Sequence, residues 1–132
     1  MEVIEAPSVA ALHFWALQVS FVDRGRRLGG AHTGLQWHPS YPGSTAVNWG
    51  GYRAGGGELD GSPSPLPSAL GNPNTRDLHW QPGVPYRFRI ERSGSSGPGG
   101  TTAWQASVAS PGTAPVVIRH LWGGGKELVD PM

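Results

Sequence analysis

Alternation of apolar and polar positions predicts β-strands along most of the chain. Residues 86–92 (YRFRIER) give the clearest case, since Tyr86, Phe88 and Ile90 fall on one face and charged side chains on the other. Residues 12–22 (LHFWALQVSFV) place mainly apolar side chains at their odd positions. Their length and their aromatic and β-branched content favour a strand, with a helix as the alternative.

Turn signals separate the remaining predicted strands, for example Asp23-Arg24-Gly25 and Ser110-Pro111-Gly112. These strands cover residues 31–38, 45–52, 104–109 and 116–122. Residues 54–75 contain four prolines and predict a long, semi-ordered surface loop. At least six strands without a convincing helix predict an all-β antiparallel sandwich or barrel, formed by residues 1–132 as one domain.

Composition supports this prediction and removes several kinds of chemistry. Glycine (21) and proline (13) are abundant enough to make long helices unfavourable. The chain has no cysteine, so disulfides, thiol nucleophiles and thiolate metal sites are excluded. A small domain without disulfides depends on its core, and we therefore expect at least three of the six tryptophans to be buried.

Charge and the chain's first residues bear on partners and location. The formal net charge is only +1, which does not favour nucleic-acid binding. The N-terminal residues carry Glu2 and Glu5 without a basic region, so they do not read as a signal peptide. No apolar run is long enough for a membrane span, and we expect no membrane partner. Cytoplasmic and mature secreted locations both stay open.

The order of several short motifs resembles a known superfamily. The motifs are Gln18-Val19-Ser20-Phe21, then Gly34-Leu35-Gln36, then the tryptophan-to-isoleucine pattern of residues 80–90, then Trp104-x-Ala-x-Val, and finally Val117-Ile118-Arg119. Together they resemble concanavalin A-like lectin and glucanase domains, especially uncharacterised actinobacterial members.

This resemblance spans residues 12–122 and implies a jelly-roll β-sandwich. The chain is shorter than typical members, so the resemblance implies a truncated edge. It leaves the final strand of a complete jelly roll either absent or supplied by residues 127–129 or by the N-terminal segment.

Catalytic and metal-binding patterns are weak. Glucanases of this superfamily carry two carboxylates on one strand, whereas Glu58 and Asp60 lie in the long loop and predict solvated charges. The five histidines lack metal-ligand spacing, and no Gly-x-Ser-x-Gly occurs. Asn72, Asn74 and Asp77 are better explained as turn formers than as calcium ligands. We therefore predict no catalytic residue, no metal and no cofactor, and lean against an enzyme.

Ligand binding fits the residue types better. Exposed aromatic rings can stack on sugars, while amides and arginines bind hydroxyl groups. The candidate ligand-binding residues are Gln18, Gln36, Asn48, Trp49, Tyr52, Arg76, Trp80 and Arg87. Three of them are amides at mid-strand positions, and we expect these amides to line one sheet face.

The segment Asn48-Trp49-Gly50-Gly51-Tyr52 is the most suggestive part of this set. Its two glycines allow close approach by a ligand or by a neighbouring strand. We expect residues 74–77 to fold over it from the long loop.

These features favour a non-catalytic binding module whose partner is a glycan or another small ligand. One alternative is an assembly protein that forms homo-oligomers by pairing sheet edges. Another is a polysaccharide lyase or hydrolase, for which His32, Tyr52 and Arg76 are the candidates.

Overall fold

Two antiparallel sheets form the protein, as in a β-sandwich. The structure, a computed structural model, describes residues 1–5, 7, 12–37, 45–123, 125 and 127–129. The strands are β1 (His13–Asp23), β2 (Arg26–Trp37), β3 (Thr45–Arg53), β4 (Thr75–Asp77), β5 (Arg87–Ser96), β6 (Thr102–Ala109), β7 (Val116–Gly123) and β8 (Glu127–Val129). The all-β class predicted from the alternating pattern is confirmed.

Strands that follow one another along the chain pair with one another. The larger sheet has the order β4-β3-β2-β1-β8, and the smaller has the order β5-β6-β7. Of the strands described, only β8 returns to an earlier strand, because Glu127–Val129 pairs with Ser20–Val22 of β1. Residues 127–129 therefore form a strand, as one of the alternatives left by the resemblance expected.

The first hairpin is longer than the sequence predicts. The second strand begins at Arg26 rather than at Ala31, since Asp23 already pairs with Arg26. Arg24 and Gly25 both have positive φ (53° and 74°), which suits the tight turn of a two-residue hairpin. The polar run after the turn hides this strand from a search for apolar alternation.

Large aromatic side chains fill the space between the sheets. Trp49, Trp80 and Trp104 are buried, which confirms the expected number of buried tryptophans. The Trp49 Nε1 donates a hydrogen bond to the Trp104 carbonyl of the other sheet (3.3 Å). The Trp80 Nε1 donates to the carbonyls of Gln36 and Ala46 (3.1 Å each). Each indole therefore buries its apolar area without leaving its N–H unpaired.

Residues 58–62, within the long loop, join the two sheets along one side of the sandwich. The Leu59 N–H donates to the Gly51 carbonyl of β3 (2.9 Å). The Trp122 N–H of β7 donates to the Asp60 carbonyl, and the Ser62 N–H donates to the His120 carbonyl (2.9 Å each). The loop is therefore tied to both sheets at this point. In the described part of the chain, no helix is long and apolar enough to cross a membrane.

Candidate ligand-binding face

The outer face of the larger sheet gathers most of the polar and aromatic candidates. Strand register places six side chains there, which we call the polar sheet face: Phe14, Gln18, His32, Gln36, Asn48 and Tyr52. The three amides expected from the sequence come from three neighbouring strands, β1, β2 and β3.

Register alone explains why these residues share a face. Gln18 lies opposite His32, and Phe14 lies opposite Gln36. Directly opposed residues of antiparallel strands point to the same side, and neighbours along a strand point to opposite sides. The alternate set, which includes Trp15 and Leu35, therefore faces the core.

Glycines keep the strands of this face close together. A Cβ on Gly34 would lie 1.8 Å from the Trp15 carbonyl oxygen, so the backbones approach too closely for any side chain. A Cβ on Gly30 would lie 2.9 Å from the Tyr52 hydroxyl, which places the Tyr52 ring over this glycine. An aromatic ring that covers a cross-strand glycine is a known way to stabilise a sheet. Tyr52 is still 51% exposed and offers ring surface to solvent.

Some hydrogen-bonding groups of the amides on this face have no partner among the hydrogen bonds of the described residues. Asn48 is 8% exposed and donates through Nδ2 to the Thr75 Oγ1 (2.9 Å), but its buried Oδ1 has no hydrogen-bond partner. Among the hydrogen bonds of the described residues, none involves the side chain of Gln18 or Gln36. A buried acceptor without a partner costs about 1–3 kcal/mol.

His32 lies beside the amides of the face, directly opposite Gln18. Its ring meets the Phe14 ring edge-on at a centroid distance of 5.4 Å. Burial lowers the pKa of His32 below its ordinary value, and the smaller effect of the Asn48 side chain raises it. The neutral imidazole that burial favours offers one donor and one acceptor.

The face is elongated along the strands. The row that contains Phe14 and the row that contains Tyr52 are six residues apart, as the pairings Phe14–Gln36 and Gly30–Tyr52 show. At about 3.3 Å per residue, the two exposed rings are on the order of 20 Å apart. Polar side chains occupy the rows between them.

Two predicted platform residues lie elsewhere. Trp49 and Trp80 are almost completely buried, so neither has a ring face available to a ligand in solution. Neither ring can therefore stack against a ligand, because both are enclosed in the core. Phe14, which is 36% exposed, and Tyr52 are the aromatic residues of the face. Phe14 was missed, although its even position in β1, shared with Gln18, was the available signal.

The two predicted arginines also lie away from the polar sheet face. Arg76 is in register with Val47, on the opposite side of the sheet from Asn48. Arg87 belongs to the smaller sheet and lines a groove of about 890 Å³ together with Leu17, Tyr86 and Phe88. Neither is therefore placed beside the three amides.

Arg76 lies instead near a polar cluster around the buried Arg119, at the side closed by residues 58–62. Arg119, which is 4% exposed, donates through Nη1 to the Asn74 Oδ1 (2.6 Å). The Asn74 Nδ2 in turn donates to the Glu58 Oε1. Burial lowers the pKa of Arg119, Arg76 lowers it further, and Glu58 and Asp60 oppose both effects.

Residues 74–77, which we expected to fold over residues 48–52, run beside β3 in the same sheet, and only the Asn74 side chain reaches over Gly50. The Trp49 N–H donates to the Asn74 carbonyl (2.9 Å), and Thr75–Asp77 pairs with β3. The Asn74 side chain covers Gly50, where a Cβ would lie 3.1 Å from Asn74 Cγ. The glycine therefore allows close approach by the chain itself at this point.

Metal-binding chemistry finds little support in the described ranges. No group of three or more His, Cys, Asp or Glu side chains there could hold a metal ion. The Asn74 N–H donates to the Asn72 Oδ1 (2.9 Å), which is the turn geometry predicted for this segment. Of the five histidines, His38 lies outside the described residues.

No family model, curated protein or solved structure matches this chain.

Proposed function

We propose that the protein is a non-catalytic module that binds carbohydrate on the polar sheet face. The observation that carries this proposal is the gathering of three amides, a histidine and two exposed rings on one face. The side chains of Gln18 and Gln36 take part in none of the hydrogen bonds described above, and Asn48 Oδ1 is buried without a partner.

A sugar matches this chemistry in two ways. Each hydroxyl of a sugar can donate and accept, and the exposed amide of Gln18 offers both kinds of partner. Gln36 and Asn48, which are 7% and 8% exposed, offer only the small surface that stays accessible. The apolar face of a pyranose ring can lie on Phe14 or Tyr52. None of the six side chains carries a fixed charge, which favours a neutral ligand over an anionic one. The length of the face favours an oligosaccharide over a single sugar.

A hydrolase or lyase has less support from the same geometry. Glu58 accepts a hydrogen bond from Asn74 in the cluster around Arg119, and Asp60 lies 4.0 Å from Arg53. Both belong to the segment that joins the sheets, whereas the polar sheet face lies on the outside of β1, β2 and β3. The concanavalin A-like jelly roll stays a prediction of the sequence beside the two-sheet sandwich described above.

Titration of neutral oligosaccharides into the isotopically labelled protein, followed by amide NMR, tests the proposal. We expect saturable shifts on β1, β2 and β3 that centre on Gln18, His32 and Asn48. Gln18→Ala should weaken binding by about three- to tenfold, which is the worth of one ordinary hydrogen bond.

Gln81→Ala is the matched control, because Gln81 is also an exposed glutamine but lies in a turn away from the face. The control should leave the affinity unchanged. Absence of saturable shifts across neutral glycans would overturn the proposal, and so would an equal loss of affinity in the two variants.

A further inference from the structure

One long stretch of β1 has a strand on only one side. β8 pairs with Ser20–Val22 alone, while β2 pairs with β1 along its whole length. Residues Phe14–Val19 therefore have no strand on their second side among the described residues. Within the described part of the chain this edge is therefore open, and its side chains include Phe14 (36% exposed) and Leu17 (41% exposed).

The other outer strands that the structure describes are covered, charged or very short. The Asp77 N–H of β4 donates to the Pro67 carbonyl (2.7 Å), and residues 60–62 form backbone hydrogen bonds with β7. β5 carries Arg87, Arg89, Glu91 and Arg92, while Met1 bonds only Tyr86 just before it. β8 is three residues long. Proteins usually cover or charge their edges, because an open edge pairs readily with another strand. The open part of β1 departs from that practice.

The open edge carries no feature that would repel a second strand. Its sequence, FWALQV, has no charged residue, no proline and no glycine. We propose that two copies of this chain pair antiparallel along Phe14–Val19, so that the two larger sheets become one ten-stranded sheet. A second copy brings an identical neutral edge, and the formal net charge of +1 per chain adds little repulsion.

Strand parity limits where the two-fold axis can lie. Directly opposed residues must point to the same side, so an even position must oppose an even position. The axis therefore passes through a residue, and the candidates at the middle of the edge are Ala16 and Leu17. An axis at Leu17 would set Phe14 against Ser20 of the second copy, where β8 already occupies the edge. An axis at Ala16 avoids this conflict.

Pairing about Ala16 would extend the proposed binding site. Phe14 of one copy then opposes Gln18 of the other on the outer face, with Cβ atoms about 5 Å apart. The two polar sheet faces would form one continuous surface, in which each copy adds an aromatic ring beside the other's amide. This consequence rests on the proposed carbohydrate function, whereas the pairing itself does not.

Charge placed at Ala16 provides a direct test, because this exposed side chain would meet its own copy across the axis. Sedimentation velocity of the unaltered protein should show a concentration-dependent species of twice the 13.9 kDa chain mass. A16K alone and A16E alone should be monomers, because like charges directly opposed across a strand pair are unfavourable. An equimolar mixture of A16K and A16E should regain the dimer.

L70K and L70E are the matched controls, since Leu70 is an exposed apolar residue in the long loop. Both should stay dimeric. Amide NMR spectra of A16K that keep the dispersion of the unaltered protein exclude unfolding as the reason for a monomer.

A protein that is monomeric at every concentration would overturn the inference, and so would an A16K dimer. Rescue by a mixture of L17K and L17E, but not by A16K and A16E, would overturn the axis at Ala16. The two proposals fail separately. A dimer that binds no glycan removes only the proposed function, and a monomer that binds glycan removes only the pairing.

Discussion

The role of Trp49 depends on its position in β3 as well as on its residue type. Its ring lies at the centre of the core, and its Nε1–H is bonded to the opposite sheet. Sequence pattern identified the residue as important but did not indicate which side of β3 it faces. Its odd position, shared with Val47, places it inside.

Replacing Trp49 should therefore affect folding rather than binding. We expect Trp49→Ala to lower the free energy of unfolding by about 3–5 kcal/mol, because it removes a fully buried aromatic side chain. Chemical denaturation measures this loss. Tyr52→Ala is the comparison, since Tyr52 is exposed and should cost much less stability while it weakens glycan binding. A Trp49→Ala variant as stable as the parent would contradict its place in the core.

His32 gives the polar sheet face a dependence on pH. Burial holds its pKa below the ordinary value of 6.5, so the folded state disfavours the imidazolium more than the unfolded state does. The stability from the neutral ring is complete above pH 6.5 and is lost as the pH falls from there through the folded-state pKa.

Urea unfolding at a series of pH values should therefore show the parent losing stability on acidification. His32→Gln should lose less over the same window, because glutamine keeps polar groups without titrating. Equal slopes for the two proteins would show that His32 does not cause the change.

At the scale of elements, residues 58–62 have an effect out of proportion to their length. They join β3 to β7 and cover the buried Arg119. A Cβ on Gly61 would lie 2.3 Å from the Arg119 Nη2, so this glycine allows the segment to run directly over the guanidinium. The loop predicted from proline and glycine content is real, but composition could not show that it ties the sheets together.

Removing the negative charge of Glu58 should weaken this part of the molecule. Glu58→Gln keeps an oxygen that can accept from Asn74 but no longer offsets the positive charge of Arg119 and Arg76. We expect a loss of up to about 1 kcal/mol, limited by the exposure of Glu58 and reduced at high salt. Glu2→Gln, at an exposed position away from the cluster, should change little. Thermal unfolding of both variants at low and high salt measures the difference.

β4 shows where local pattern stops being informative. Thr75–Asp77 is only three residues long and is recognisable as a strand only through its pairing with β3. Its polar residues and the preceding Asn-Pro-Asn are as typical of a loop as of a strand. The pairing depends on contacts between residues distant in sequence, such as Asn48 with Thr75.

At the scale of the whole molecule, carbohydrate binding and pairing of two copies would use different parts of the larger sheet, so the two proposals are compatible. In the described part of the chain, covered edges on β4 and β7 and the charged edge of β5 leave the open part of β1 for the proposed pairing between copies. The polar sheet face lies beside that edge on the same strands. Carbohydrate binding and association of two copies would therefore use adjoining surfaces, and a dimer would present two faces to one branched or repeated glycan.

The sequence alone determined the fold class, most strands and the tryptophan content of the core, because these follow from local periodicity and from the area a small domain must bury. It also named the three amides now found on one face, since mid-strand polar residues stand out against the apolar pattern. Tertiary structure decided which side each strand turns towards solvent, and it therefore assigned Trp49 and Trp80 to the core and Phe14 to the surface. It also decided which edge stays open. Facing and edge exposure depend on the pairing of distant segments, and no short window of sequence contains that information.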